Sequence, residues 1–156
     1  MESQSARCEE VARSCVCFNL RKATRLVTQL YDAVLRPSGL RVTQFTVLVA
    51  IGLGGRVPMS TLAGVLGMDR TTLTRNLKGL QERELVSSTA GDDRRARLIS
   101  LTDAGRSALD ATLPLWRDAQ RRAVELLGDE RAEQLLPILA GVSGITVGPQ
   151  HQNEDL

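Results

Sequence analysis

The region from residue 59 to residue 105 constrains the fold of this chain more than any other part of it. Its pattern predicts two short helices, residues 60–66 and 70–84, joined by the tight turn Gly67-Met68-Asp69. Asp69 is well placed to cap the second helix, because its carboxylate can accept hydrogen bonds from the exposed N–H groups of the first turn. Two candidate strands follow and bracket a loop at residues 90–96. Helix, turn, helix and hairpin together predict a winged helix-turn-helix.

Helical periodicity on both sides of this unit predicts that the rest of the chain is mainly α. Apolar residues recur at spacings of three and four before and after it, and Gly and Pro clusters separate the segments. The predicted helices are residues 9–35, 43–53, 103–127 and 130–142, with Thr43 and Thr102 as caps.

These elements define one domain with a mainly α fold and a small β wing. A winged helix-turn-helix is expected to be flanked by N- and C-terminal dimerisation helices. The predicted regions are an N-terminal helix with the cysteines at 1–35, a DNA-binding region at 36–101, C-terminal dimerisation helices at 102–146, and a flexible tail at 147–156.

The second helix of the unit, the reading helix, is expected to enter the major groove of DNA and to present its N-terminal residues to the bases. Arginine can hold guanine at two points, and threonine can contact phosphates or thymine methyl groups. The candidate contacts on this helix are Arg70, Thr71, Thr72, Thr74, Arg75 and Lys78. The alternative is an ordinary amphipathic helix with a solvated charged face.

The hairpin tip holds three arginines within four residues, and an arginine on a wing can reach the minor groove. Asp93 would repel phosphate, so we expect it to pair with Arg95 or with an arginine of the reading helix and to fix the wing. The candidate contacts on the hairpin are Asp93, Arg94, Arg95 and Arg97. The alternative is a solubilising turn.

Composition narrows the possible classes of protein. Net charge is only +2, but residues 70–106 hold eight basic and five acidic residues, and phosphate attraction depends on that local face. No apolar run is long enough for a membrane span and no signal peptide is visible, so a cytoplasmic protein is expected. With one His, His151, and no phosphate-binding glycine loop, no enzyme and no cofactor are expected. A protein-interaction module is the closer rival, but it would not need arginines on both helix and wing.

The chain resembles the MarR family of bacterial transcription regulators over roughly residues 18–139. The segment Asp93-Arg-Arg-Ala-Arg-Leu-Ile-Ser-Leu-Thr-Asp-Ala-Gly105 is similar to the family's wing signature, Asp-x-Arg followed by Leu-Thr-x-x-Gly. The segment Met68-Asp-Arg-Thr-Thr-Leu-Thr-Arg75 resembles the start of its recognition helix. Glu84 departs from the family, which usually has Gly there, so a left-handed Glu84 would carry strain of order 1 kcal/mol.

The resemblance implies a homodimer that binds a pseudo-palindromic operator in double-stranded DNA and usually represses nearby genes. Family members dimerise through their first and last helices. The terminal helices of this chain support this independently, because their apolar residues would leave a large exposed patch if unpaired. These residues are Leu109, Leu113, Leu115, Trp116, Val124, Leu126, Leu127, Leu135, Leu136, Ile138 and Leu139. The alternative is that they pack on the domain's own core.

Cys17 resembles the reactive cysteine of the peroxide-sensing branch of the family, in which a tyrosine fourteen residues on, here Tyr31, hydrogen-bonds the thiol. Two departures are Arg21, where an aromatic residue is common, and Val42, which replaces a second tyrosine. If one helix includes this region, Arg13 and Arg21 lie four residues either side of Cys17 and favour its thiolate. The resemblance and this charge pattern predict release from DNA when Cys17 is oxidised.

Cys8 and Cys15 leave other possibilities open. Cys15 and Cys17 would point about 200° apart in a helix, so they could meet only if the helix starts after Cys17, or across a dimer. The three thiolates could instead bind a thiophilic metal or metalloid such as arsenite. The first expectation is nevertheless that the protein has no metal site. Alternatively, the cysteines are inert and a small aromatic effector controls the protein.

Overall fold

The computed structural model describes residues 3–91 and 97–142. The chain divides into two compact units between Ala123 and Val124. The helices are α1 (Gln4–Ser14), α2 (Val16–Leu35), α3 (Val42–Gly54), α4 (Met59–Val65), α5 (Arg70–Glu82), α6 (Asp103–Leu127) and α7 (Asp129–Val142), with a 3-10 turn at Arg36–Ser38. The strands are β1 (Arg56–Pro58), β2 (Val86–Ala90) and β3 (Arg97–Leu101). The prediction of a mainly α fold with a small β wing is confirmed.

The first unit holds two apolar clusters. The larger lies beneath the helix-turn-helix and the sheet, where Leu48, Ile51, Leu62, Leu73 and Ile99 are almost completely buried. The smaller joins α2, α3 and α6 and contains Tyr31, Leu35, Phe45 and Ala119, with the ring of Trp116 stacked 6.5 Å from that of Phe45. In the second unit, the end of α6 meets α7 through Gly128, whose φ of 84° is left-handed.

The single helix predicted over residues 9–35 is wrong, because the chain breaks at Cys15. Cys15 has extended backbone angles, φ −72° and ψ 112°, and its thiol sulfur accepts a hydrogen bond from Phe18 N–H at 3.4 Å. The Asn19 side chain closes the break by donating to the carbonyls of Ala12 and Cys15, at 3.1 and 2.9 Å. Periodicity misses this break, because the apolar spacing continues across it while side-chain caps satisfy the freed backbone groups.

The predicted start of α3 at Thr43 is also wrong. The helix begins at Val42 with Arg41 as its cap, because two side chains accept from the first N–H groups. Asp32 Oδ1, on α2, accepts from Val42 N–H at 2.7 Å, and Gln44 Oε1 accepts from Arg41 N–H at 3.1 Å. The first of these acceptors comes from ten residues away, so local cap rules could not identify it.

Strand β1 was not predicted, because its three residues directly follow two glycines and end in Pro58. It pairs antiparallel with β3, and the sheet order is β1-β3-β2. Val57 lies opposite Ile99, and Ser88 lies opposite Ile99 on the other side. The predicted hairpin strands are confirmed. Helix α5 ends at Glu82, two residues before its predicted end, since Glu84 is left-handed with φ 56°.

Candidate nucleic-acid interface

Asp69 holds the start of α5, as the sequence predicts. Its Oδ1 accepts from Thr72 N–H at 2.8 Å and its Oδ2 accepts from the Thr72 hydroxyl at 2.7 Å. These bonds, first that from the Thr72 hydroxyl and then that from its backbone, hold the pKa of Asp69 below its ordinary value. The preceding turn uses Gly67 at φ 58°, and Met68 N–H donates to Ala63 O at 3.0 Å. The helix-turn-helix is therefore locked at its corner by local hydrogen bonds.

Helix α5, which is the predicted reading helix, has one buried and one exposed side. Leu73, Leu77 and Leu80 are at most 4% exposed and anchor the helix in the larger cluster. The predicted contact residues lie on the other side, where Thr72 is half-buried and the rest are exposed: Arg70, Thr71, Thr74, Arg75 and Lys78. Lys78 pairs with Glu82 at 3.8 Å, but both side chains are more than 60% exposed, so this pair is weak.

The wing brings one more predicted residue next to the reading helix. Arg97 is exposed at the start of β3, and its Nη1 donates to Ser88 Oγ at 3.3 Å. A cleft of about 260 Å³ between α5 and the sheet is lined by Arg70, Thr74 and Arg97. The predictions for Asp93, Arg94 and Arg95, including the pairing of Asp93, lie outside the described residues, as does the tail with His151.

Arg56 is a further candidate that sequence reasoning missed. It is exposed on β1, and its Nη2 donates to Thr89 Oγ1 at 3.1 Å. Three strands thus bring Arg56 to the same sheet as Arg97. Because β1 is too short to predict, no signal in the sequence connects Arg56 with the wing.

The three cysteines lie in three different settings. Cys8 is exposed on α1, Cys15 is half-buried at the break, and Cys17 is exposed in the first turn of α2. Since Arg13 belongs to α1, the prediction that it and Arg21 flank Cys17 on one continuous helix is wrong. Within the described ranges, no group of three His, Cys, Asp or Glu residues is placed to hold a metal ion.

Tyr31 does not meet Cys17 within one chain. The two residues are fourteen apart on α2, which corresponds to about 21 Å along a helix. The Tyr31 hydroxyl instead donates to Gln120 Oε1 on α6 at 2.5 Å, and burial raises the pKa of Tyr31. The cysteine–tyrosine contact that the resemblance implies therefore requires a second subunit.

Two cavities lie beside the smaller apolar cluster. One, of about 610 Å³, is lined mainly by apolar side chains, among them Phe45 and Trp116. The other, of about 640 Å³, has Arg56 and Arg106 on its wall. Both are lined by Val49, Leu53 and Leu113, so they are neighbours.

The fold and this arrangement of exposed residues define a winged helix-turn-helix protein. A family model described as "MarR family" matches residues 38–96. The DNA-bound transcriptional regulator MosR of M. tuberculosis is 40% identical, covers 85% of this chain and 100% of its own, and superimposes with a TM-score of 0.70. The chain belongs to the MarR family.

Other similar proteins agree with this assignment. The regulator SarZ of Staphylococcus saprophyticus is 32% identical over 92 residues, which are 58% of this chain and 63% of SarZ. The chain thus spans less than two thirds of that curated relative, and 61% of YwoH of Bacillus subtilis. CouR of Rhodococcus jostii RHA1, solved with p-coumaroyl-CoA, is 26% identical, covers 87% of this chain and 96% of its own, and has a TM-score of 0.73.

All of these proteins are described as transcriptional regulators or repressors, which confirms that the family is not one of enzymes. Among the described helices, none combines the length and the apolar character needed to cross a bilayer.

Proposed function

We propose that this protein is a homodimeric repressor that reads a pseudo-palindromic operator in double-stranded DNA. The observation that carries the proposal is the exposed side of α5, where arginines and threonines lie opposite three buried leucines. Two of these residues, Arg70 and Thr74, line a cleft together with Arg97 of the wing. In this geometry α5 enters a major groove and the wing reaches the flanking minor groove. The DNA-bound structures of MosR and CouR, two similar proteins, support this assignment.

Two of the three threonines of α5 have a specific chemistry in this interface. The Thr74 hydroxyl donates to Arg70 O at 2.7 Å, and the Thr72 hydroxyl donates to Asp69. Each hydroxyl proton is already used within the chain, so these residues offer a methyl group and an oxygen that can only accept. Thymine methyl groups suit such side chains better than phosphate oxygens do, while Arg70 and Arg75 suit guanine.

Dimerisation would cover the apolar residues that the terminal helices expose. Val16, Phe18 and Leu26 of α2 are 71%, 48% and 57% exposed, and Leu136 and Ile138 of α7 are 64% and 65% exposed. Side chains of this kind rarely remain in water over a contiguous area. In such a dimer the two copies of α5 would have to lie about 34 Å apart to enter successive major grooves.

A binding experiment tests this proposal. Wild-type protein is used to select duplexes from a random library, and affinities are measured by fluorescence anisotropy at several salt concentrations. Specific binding should fall steeply with salt, and Arg75→Ala should lower affinity by about tenfold or more. Arg7→Ala, an exposed arginine on α1, is the matched control and should have little effect. A monomer that prefers no duplex over a simple polyanion would refute the proposal.

For the signal that releases DNA, we propose oxidation of Cys17. A hydroperoxide oxidises the Cys17 thiolate to the sulfenic acid and is itself reduced to the alcohol. The Cys15 thiol then attacks that sulfur, so that a disulfide forms and water leaves. Because Cys15 caps the first turn of α2, this disulfide requires that turn to open, with loss of the sulfur–Phe18 hydrogen bond. The oxidation is thereby converted into a change at the start of a proposed dimerisation helix.

The test combines mass spectrometry of the cysteines with DNA-binding assays after exposure to hydroperoxide, hypochlorite and arsenite. Cys17→Ser should abolish oxidant-induced release, and Cys15→Ser should stop oxidation at the sulfenic acid. Cys8→Ser is the control and should respond like wild type. Normal release from Cys17→Ser would refute the oxidation proposal. Release by arsenite alone would favour a thiolate site shared between subunits, since the described residues of one chain do not form one.

A second candidate signal is a small aromatic effector, favoured by the apolar cavity of about 610 Å³ with Phe45 and Trp116 on its wall. Trp116 is the sole tryptophan of the chain, so its fluorescence reports on this site directly. Titration with benzoate, salicylate and p-coumaroyl-CoA should quench it if the cavity binds such a ligand. Quenching together with release of DNA would assign the signal to the cavity, and a flat titration would exclude these ligands.

A further inference from the structure

We propose that Thr102 and Gly105 form a joint that sets the position of the reading helix, and that this joint determines which operator spacing the protein accepts. The inference rests on the proposed DNA-binding function. The joint consists of Glu84 and Leu85, which follow α5 after Arg83, together with Thr102 and Gly105 at the start of α6.

One side of the joint is the end of α5. Leu85 N–H donates to Leu80 O at 3.0 Å and Glu84 N–H donates to Gln81 O at 2.9 Å, with Glu84 in the left-handed conformation. This is a Schellman motif, and its two leucines are both buried in the larger cluster. The motif turns the carbonyl groups of Glu84 and Leu85 away from the helix, where they need partners from elsewhere.

Thr102 supplies those partners and begins α6 at the same time. Its hydroxyl donates to Glu84 O at 2.6 Å, and its backbone N–H donates to Leu85 O at 3.2 Å. The same hydroxyl oxygen accepts from Gly105 N–H at 2.9 Å and thereby caps α6. One threonine therefore joins the last turn of the reading helix to the first turn of the longest helix.

Gly105 lets the two segments approach each other closely. A Cβ atom at this position would lie 1.9 Å from the carbonyl oxygen of Leu85, and contacts shorter than 3.0 Å are essentially never seen. Its φ is not left-handed, so closeness of approach is what requires glycine here. The clash is with backbone, so alanine would push Leu85 and the end of α5 away by about 1 Å.

Such a shift is large on the scale of DNA. In a two-fold dimer both reading helices move, so their separation can change by about 2 Å, compared with a rise of about 3.4 Å per base pair. The affinity for two half-sites at a set spacing depends on this separation. Affinity for one half-site depends on the exposed face of α5 and on the wing, and none of the joint residues is one of the proposed DNA contacts of either. Thr102 and Gly105 are thus positioning residues that act through α5.

The experiment uses the full-length protein and duplexes selected by the wild type. Half-sites are moved together or apart by one base pair, and a further duplex has one half-site scrambled. Gly105→Ala should lose about tenfold or more on the selected spacing, keep its affinity for the single half-site within about twofold, and shift its spacing preference. Thr102→Val, which removes both hydroxyl bonds, should change binding in the same direction, and Thr102→Ser should restore it. Ser107→Ala, an exposed change in the same helix, should behave like wild type.

If Gly105→Ala does not fold, the comparison of Thr102→Val with Thr102→Ser tests the proposed joint instead. Folded variants that keep the spacing preference of the wild type would overturn the joint. An equal loss on the full and the half duplex, in step with a lower melting temperature, would also overturn it, because it would show a purely structural role. A wild-type protein that selects no duplex refutes the proposed DNA-binding function instead, so the two failures can be told apart.

Discussion

Replacing Glu84 by glycine should make this protein more stable, although the change removes a side chain. Glu84 is the one non-glycine residue with a left-handed φ, 56°, in the described parts of the chain. The left-handed conformation costs an L-residue roughly 1–2 kcal/mol, and glycine avoids this cost. Glycine also gives the unfolded chain more conformational freedom, which lowers the stability of the folded state by about 0.4–1 kcal/mol. The expected net gain is about 0.5–1 kcal/mol.

Thermal and urea unfolding followed by circular dichroism measure this gain. For a chain of this size the melting temperature should rise by about 2–4 °C for each kcal/mol. The matched control is Glu82→Gly at the last residue of α5, where glycine should lower stability by up to about 1 kcal/mol because the helical conformation favours other residues. Glu84→Ala keeps the strain and should not stabilise. A melting temperature for Glu84→Gly at or below that of Glu84→Ala would refute the strain argument.

Three further outcomes are expected. Leu80→Ala removes a fully buried side chain from beneath the reading helix and should lower the free energy of unfolding by about 2–5 kcal/mol in urea titrations; a loss below about 1 kcal/mol would contradict the packing described. The pKa of Asp69 is lowered in the folded state, so the stability that its carboxylate contributes is present above the unfolded pKa and is lost as pH falls through the folded pKa. Between about pH 6 and pH 3, the wild type should therefore lose more stability than Asp69→Ser, which keeps a capping oxygen that does not titrate. Equal losses would refute the role of the charged cap. Tyr31→Phe removes the hydroxyl that donates to Gln120 Oε1 and should lower the free energy of unfolding by about 0.5–1.5 kcal/mol in thermal melts. A variant with unchanged stability but an altered response to oxidant would contradict this structural role and indicate that Tyr31 takes part in sensing.

The helix-turn-helix was predictable because its signals are local. Asp69 caps α5 within three residues, three leucines at helical spacing anchor it, and Gly67 makes the turn. The same holds for Thr102, which caps α6 because its hydroxyl oxygen accepts from the N–H of Gly105, three residues further along the chain. For the candidate site, the face of α5 and the place of Arg97 at the wing follow from helical and strand periodicity alone.

Other features depend on residues that are distant in the sequence. Val42 starts α3 because Asp32 accepts its N–H, and the short strand β1 exists only because β3 pairs with it. The break at Cys15 is local but unexpected, since cysteine is rarely a cap and the apolar spacing runs on through it. No pattern in the sequence shows that Tyr31 bonds Gln120 instead of Cys17.

Sequence by itself thus determined the class of protein, the reading helix and the residues that helix exposes, because caps, turns and periodicity act over a few residues. Tertiary structure alone decided which carbonyl groups Thr102 bonds and how closely Gly105 approaches Leu85. These contacts join segments about twenty residues apart, and their geometry depends on how the helices and the sheet pack around one core.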